Sequence, residues 1–153
     1  LRDVPNDVVI EHSAAIRDKL GDRALLRSFC YMGEAVRTLE AGSYIITDDV
    51  DKFLNTFKLA GNSRFKYLQS YGVANAPTFE DLAIALAVSD ELLYDGGASA
   101  IMGDGTKGIS IAIAGSGRVD DYVKSMQLIF GSGSEDEISD VCCFSSCGLF
   151  RLV

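Results

Sequence analysis

Ser116, Gly117 and Arg118 are the residues of this chain best suited to hold a ligand. They follow Ile109–Ala114, "ISIAIA", and lead into "RVDDYVKSMQLIFG". If the first run is a strand and the second a helix, the open N–H groups of the helix start converge on one spot. That spot carries partial positive charge. Arg118 can then grip a phosphate or carboxylate with two parallel hydrogen bonds. The chemistry on offer is capture of an anionic group. Spacing and charge speak against it. A dinucleotide loop requires a third glycine where this chain has Asp120, and the Gly-Lys-Ser/Thr of a P-loop is absent. Asp120 and Asp121 already complement the helix dipole and would repel a phosphate. A tight turn between two packed elements explains the same residues without a ligand.

Three other groups invite chemistry. Residues 95–108, "DGGASAIMGDGTKG", are glycine-rich, and Asp95 with Asp104 offers two carboxylates. The carboxylate spacing of a calcium loop is missing, so a mobile surface loop is expected there. Cys142, Cys143 and Cys147 crowd the tail, and a zinc site would need Cys30 or His12 as a further ligand. Free cysteines packed as small apolar residues are the simpler expectation. His12 is the one histidine, and it stands beside Glu11 with no visible partner for base catalysis. No nucleophile elbow, zinc-protease helix or paired Cys-x-x-Cys occurs. The residues therefore nominate no catalytic group, no metal and no cofactor.

The elements that must position these residues read as mainly helical. Only two prolines occur, Pro5 and Pro77, and both sit where helices can begin. The spacing predicts one helix over 7–20, closed by Gly21. A second runs from Asp22 to Gly42, with Leu25, Phe29, Met32, Val36 and Leu39 facing inward. "SYII", residues 43–46, reads as a short β-like stretch. Thr47 then caps a helix that buries Val50, Phe53, Leu54 and Phe57 and breaks at Gly61-Asn62-Ser63. A shorter helix follows over 63–72. A long one, opened by a capping box at Thr78–Asp81, runs to Gly96-Gly97. The segment 109–114 reads as a strand, with continuation into one long helix as the competing reading. Residues 118–131 are expected to form a helix with Val119, Tyr122, Val123, Met126 and either Ile129 or Phe130 inward. The expected fold is thus a mainly α, compact multi-helix domain with short links. There is room for one short strand pair in the C-terminal third, and an α+β arrangement is the alternative. One domain spans 1–153, with a polar loop at 131–140 and an apolar docking tail at 141–153.

Composition narrows the function. The 153 residues carry 14 basic and 22 acidic side chains, a net charge of −8. Non-specific nucleic-acid binding rests on lysine and arginine neutralising phosphates, so it is not expected. No run approaches the roughly 20 apolar residues of a membrane span. The chain opens on Leu1 without a starting Met, as a processed chain or a piece of a longer one would. Clustered rather than dispersed cysteines suit a reducing, intracellular compartment. A mean hydropathy of +0.16 is high for a lone acidic domain and suggests apolar surface covered by a partner. Two functions remain. One is a structural or interaction protein that self-associates, or docks on a protein partner, through apolar surface. The other is a small-molecule binding protein or enzyme that holds an anionic ligand with the glycine-rich segment 95–118.

Overall fold

The computed structural model describes residues 3–69, 81–102, 109–115, 118–131, 139–141 and 150–152. The chain is mainly helical, with an antiparallel sheet in its C-terminal part. The N-terminal segment forms two short helices, α1 (Asn6–Glu11) and α2 (Ser13–Leu20), rather than the one expected. They part at His12, whose φ of −95° and ψ of 8° leave the helical region. Gly21 closes α2 with a φ of +83°, a conformation that favours glycine.

Helix α3 (Asp22–Ile46) is 25 residues long, and it does not end at Gly42. The "SYII" stretch is its last turn. Each added helical residue gains a hydrogen bond once a helix exists, so Ile45 and Ile46 follow the preceding turns despite their β-branched side chains. The chain reverses at Asp48, which takes a φ of +58°. The cap of the next helix, α4 (Val50–Ser63), is Asp49 rather than Thr47: its carboxylate accepts the Lys52 N–H at 3.2 Å. Thr47 Oγ1 instead donates back to the Ser43 carbonyl at 3.0 Å. Val50 and Leu54 are buried, with Phe53 and Phe57 packed beside them, as their spacing predicts. Gly61 does not break α4. The helix runs on to Ser63 and passes into a single π turn, Arg64–Leu68, in place of the short helix expected there.

The next elements are α5 (Asp81–Leu92), strand β1 (Gly97–Met102), strand β2 (Ile109–Gly115) and helix α6 (Val119–Phe130). Strands β3 (Ser139–Val141) and β4 (Phe150–Leu152) complete a sheet of order β1-β2-β4-β3, antiparallel throughout. Residues 109–114 are therefore a strand, and the long-helix reading of them fails. The surface loop expected at 95–108 is corrected in the same way. Residues 97–102 form β1, and Ala98, Ala100 and Ile101 are at most 1% exposed.

The two faces of the β1–β2 hairpin are both covered. Ala98 and its cross-strand partner Ile113 pack with Val50 and Leu54 of α4. Ala112 points the other way, into a cluster with Ala85 of α5 and Val119, Tyr122 and Met126 of α6. The sheet is thus held between α4 on one side and α5 with α6 on the other. Gly61 lets α4 approach: a Cβ there would lie 3.0 Å from both Ala100 Cα and the Ser99 carbonyl oxygen. Polar groups at these contacts are paired. Ser89 Oγ lies 2.8 Å from the Tyr122 hydroxyl and donates to the Ala85 carbonyl. Among the described residues, every buried side-chain nitrogen and oxygen has a hydrogen-bond partner.

Candidate functional site

Three places could carry function, and their residues decide between them. The first is the corner at Arg118. The strand–loop–helix order needed for an anion site is present, since β2 ends at Gly115 and α6 begins at Val119. Ser116, Gly117 and Asp104 lie outside the described residues. Arg118 does not stand open over the helix start. Its Nη1 donates to the Leu92 carbonyl oxygen at 3.2 Å, and its Nη2 lies 3.8 Å from Asp95. The guanidinium thereby meets the negative C-terminal end of α5, where a cation is favoured. Asp120 and Asp121 occupy the first turn of α6. An anion at this corner has to draw Arg118 away from Asp95 and approach two further carboxylates.

The second place is a cleft of about 500 Å³ between α4 and α5, floored by β1. Lys58, Asn62, Asp90 and Ser99 supply its polar groups and Leu86 and Leu93 its apolar wall. Ser99 is 5% exposed and donates to Asp90 across 3.4 Å, the long end of a hydrogen bond. Elsewhere one carboxylate ties several elements together. Glu34 of α3 accepts from Arg37 Nε at 3.0 Å and from Arg64 Nη2 at 3.2 Å, while Arg64 Nη1 donates to the Ile101 carbonyl at 3.0 Å. This bridge joins α3, the π turn and β1. Its two guanidinium groups share the one carboxylate, and the bridge holds the scaffold. His12, the chain's one histidine, is exposed between α1 and α2, its Nδ1 3.0 Å from the Val8 carbonyl oxygen. Cys30 is a buried free thiol that accepts from Ser63 Oγ at 3.6 Å. Cys142, Cys143 and Cys147 lie outside the described residues. Among the described residues, no three histidine, cysteine or acidic side chains gather where a metal could bind.

Comparison with known proteins gives no match: no family model, no curated protein and no solved structure.

The third place is a face of α3. Helices α1 and α2 pack against α3; Val9 of α1 and Met32 of α3 are 3% and 5% exposed, and Leu25 is half-buried. Further along the helix apolar residues are open. Val36 and Leu39, expected inward, are 48% and 77% exposed, and Ile46 is 86% exposed. Residues 35, 39, 42 and 46 are spaced four, three and four apart, which aligns them on one side of a helix. That stripe reads Ala35, Leu39, Gly42, Ile46, with Val36 and Ser43 along its edge. Gly42 meets nothing within 4 Å of the position a Cβ would take. Other exposed apolar residues occur as shorter groups, such as Leu128 with Ile129 on α6, or singly, such as Tyr94. The α3 stripe is distinguished by its length, about three turns along one side of the helix. The signal was present in the sequence: Leu25, Met32, Leu39 and Ile46 recur at intervals of seven, so one apolar seam runs the length of α3. Among the described residues, no helix is long and apolar enough to cross a membrane.

Proposed function

We propose that the protein is an interaction module that docks on a protein surface through the C-terminal half of the α3 seam. The observation that carries this reading is the exposure of Leu39 and Ile46 on a seam whose Met32 is buried and whose Leu25 is half-buried. Adjoining exposed apolar side chains are the ordinary mark of a contact surface. The corner at Arg118 supports a ligand less well, because its cation is already engaged by Leu92 and Asp95.

The test is the double variant Leu39→Glu with Ile46→Glu, followed by urea denaturation and by sedimentation. A docking face accepts both charges within about 0.5 kcal/mol each, the usual range for surface positions, and association is lost. If the variant unfolds or loses several kcal/mol of stability, the stripe belongs to the core and the reading fails.

A further inference from the structure

We infer that the partner of this face is a second copy of the chain, packed on it as an antiparallel α3–α3 pair. The inference rests on the docking reading and names its occupant. Symmetry favours it first. A two-fold contact must be complementary to itself, because each residue of the patch meets another residue of the same patch. The stripe Ala35, Leu39, Gly42, Ile46 alternates small with large. Turned end over end about its midpoint, it places Leu39 of one copy on Gly42 of the other, and Ile46 on Ala35. Every large side chain then meets a small one. A parallel pair would set Leu39 on Leu39 and leave Gly42 facing Gly42.

Gly42 supplies the second argument. Glycine within a helix is less favourable than alanine, and no described neighbour of Gly42 needs the space. A closely packed second helix does need it.

Charge supplies the third. Between 35 and 46 only Arg37 and Glu40 are charged, and Arg37 is held by Glu34. On a chain of net charge −8, this is a surface that two copies can bring together. A basic partner would find little acid in the stripe to meet. The stripe covers only about 16 Å of helix. That falls short of the roughly 800 Å² per partner of a standard interface, so the dimer is weak and concentration-dependent.

Sedimentation velocity over about a hundredfold range of concentration tests this. Wild type is expected to pass from monomer to dimer, more readily in high salt, which screens the repulsion between acidic copies. Gly42→Gln is expected to weaken association at least tenfold while raising the melting temperature of the dilute chain, because glutamine is the better helix former. Ala35→Glu and Ile46→Lys chains are each expected to stay monomeric alone and to pair when mixed. In the mixed pair the new carboxylate meets the new ammonium, and the other contact keeps its native Ile46 on Ala35. A wild type that is monomeric throughout overturns the inference, as does an unchanged dimer in Gly42→Gln. A mixture that fails to recover overturns the antiparallel arrangement. The docking reading itself fails separately, when Leu39→Glu with Ile46→Glu unfolds the chain.

Discussion

The same substitution, glycine to alanine, is expected to have opposite effects at two positions of this fold. Gly42 and Gly61 both lie in helices, α3 and α4. In each, alanine gains about 1 kcal/mol from helix propensity. At Gly42 nothing among the described residues opposes that gain, because beyond its own helix backbone no atom lies within 4 Å of the new Cβ. At Gly61 the new Cβ lies 3.0 Å from Ala100 Cα and 3.1 Å from Ala100 Cβ. Carbon atoms prefer about 3.5–4.0 Å, so α4 must back off β1 by roughly half an ångström or more. The atoms in the way are the backbone of a strand packed on both faces, which has nowhere to move. Overpacking of this kind costs about 1–3 kcal/mol. The propensity gain offsets part of it, leaving Gly61→Ala destabilised by about 1 kcal/mol. For a domain of this length that is a fall of roughly 2–4 °C, against a rise of similar size for Gly42→Ala. Thermal denaturation of both variants at low concentration reads the difference. If Gly61→Ala is stabilised as much as Gly42→Ala, α4 does not lie against β1 as described.

Other perturbations follow from single contacts. Glu34→Ala leaves the guanidinium groups of Arg37 and Arg64 without their shared carboxylate, and hydrogen bonds to charged groups contribute about 1.5–3 kcal/mol. A loss of about 2 kcal/mol in urea denaturation is expected, and a change near zero would show that the bridge holds nothing. Asp49 has its pKa lowered from 3.8, first by its side-chain hydrogen bond from Lys52 and then by the Lys52 backbone N–H. A lowered acid contributes stability above its unfolded value of 3.8 and loses it as pH falls through the folded value, so the loss comes below 3.8. The Asp49→Asn variant keeps a capping oxygen and should show a flatter fall of melting temperature in acid; an unaltered acid limb would refute the assignment. Arg118→Ala should loosen the corner between α5 and α6 slightly and leave phosphate without effect on melting temperature. Phosphate that stabilises wild type but not this variant would instead establish the anion site at Ser116, Gly117 and Arg118.

Where apolar residues recur at helical spacing inside one element, the sequence was easily read. Val119, Tyr122, Val123 and Met126 lie on the inner side of α6, and Val50 and Leu54 are buried in α4. Strand β1 was missed for a physical reason. Both of its faces are covered, so "GASAIM" shows no polar alternation, and its small residues resemble a loop beside the glycines around it. "SYII" misled in the other direction, because β-branched residues yield to a helix already twenty residues long. At Arg118 the strand–loop–helix order was legible, but its partners were not. Leu92 and Asp95 lie more than twenty residues earlier in the chain and meet it only through the packing of α5 against β2.

The α3 face shows most clearly what periodicity does and does not contain. A seam of Leu25, Met32, Leu39 and Ile46 marks the side of the helix that prefers to leave water. It does not say which element will cover it. In this fold α1 and α2 together hold 14 helical residues, while α3 holds 25. Both short helices contact α3, and their combined length is little more than half of its own. Helix α4 also packs on α3 and turns Val50 and Leu54 to the sheet. Among the described residues, these element lengths leave turns of α3 exposed. Among the described residues, Val36, Leu39 and Ile46 belong to neither buried cluster, so polar side chains there are expected to leave both clusters intact. The proposed contact with a second copy would give their apolar character a physical cause.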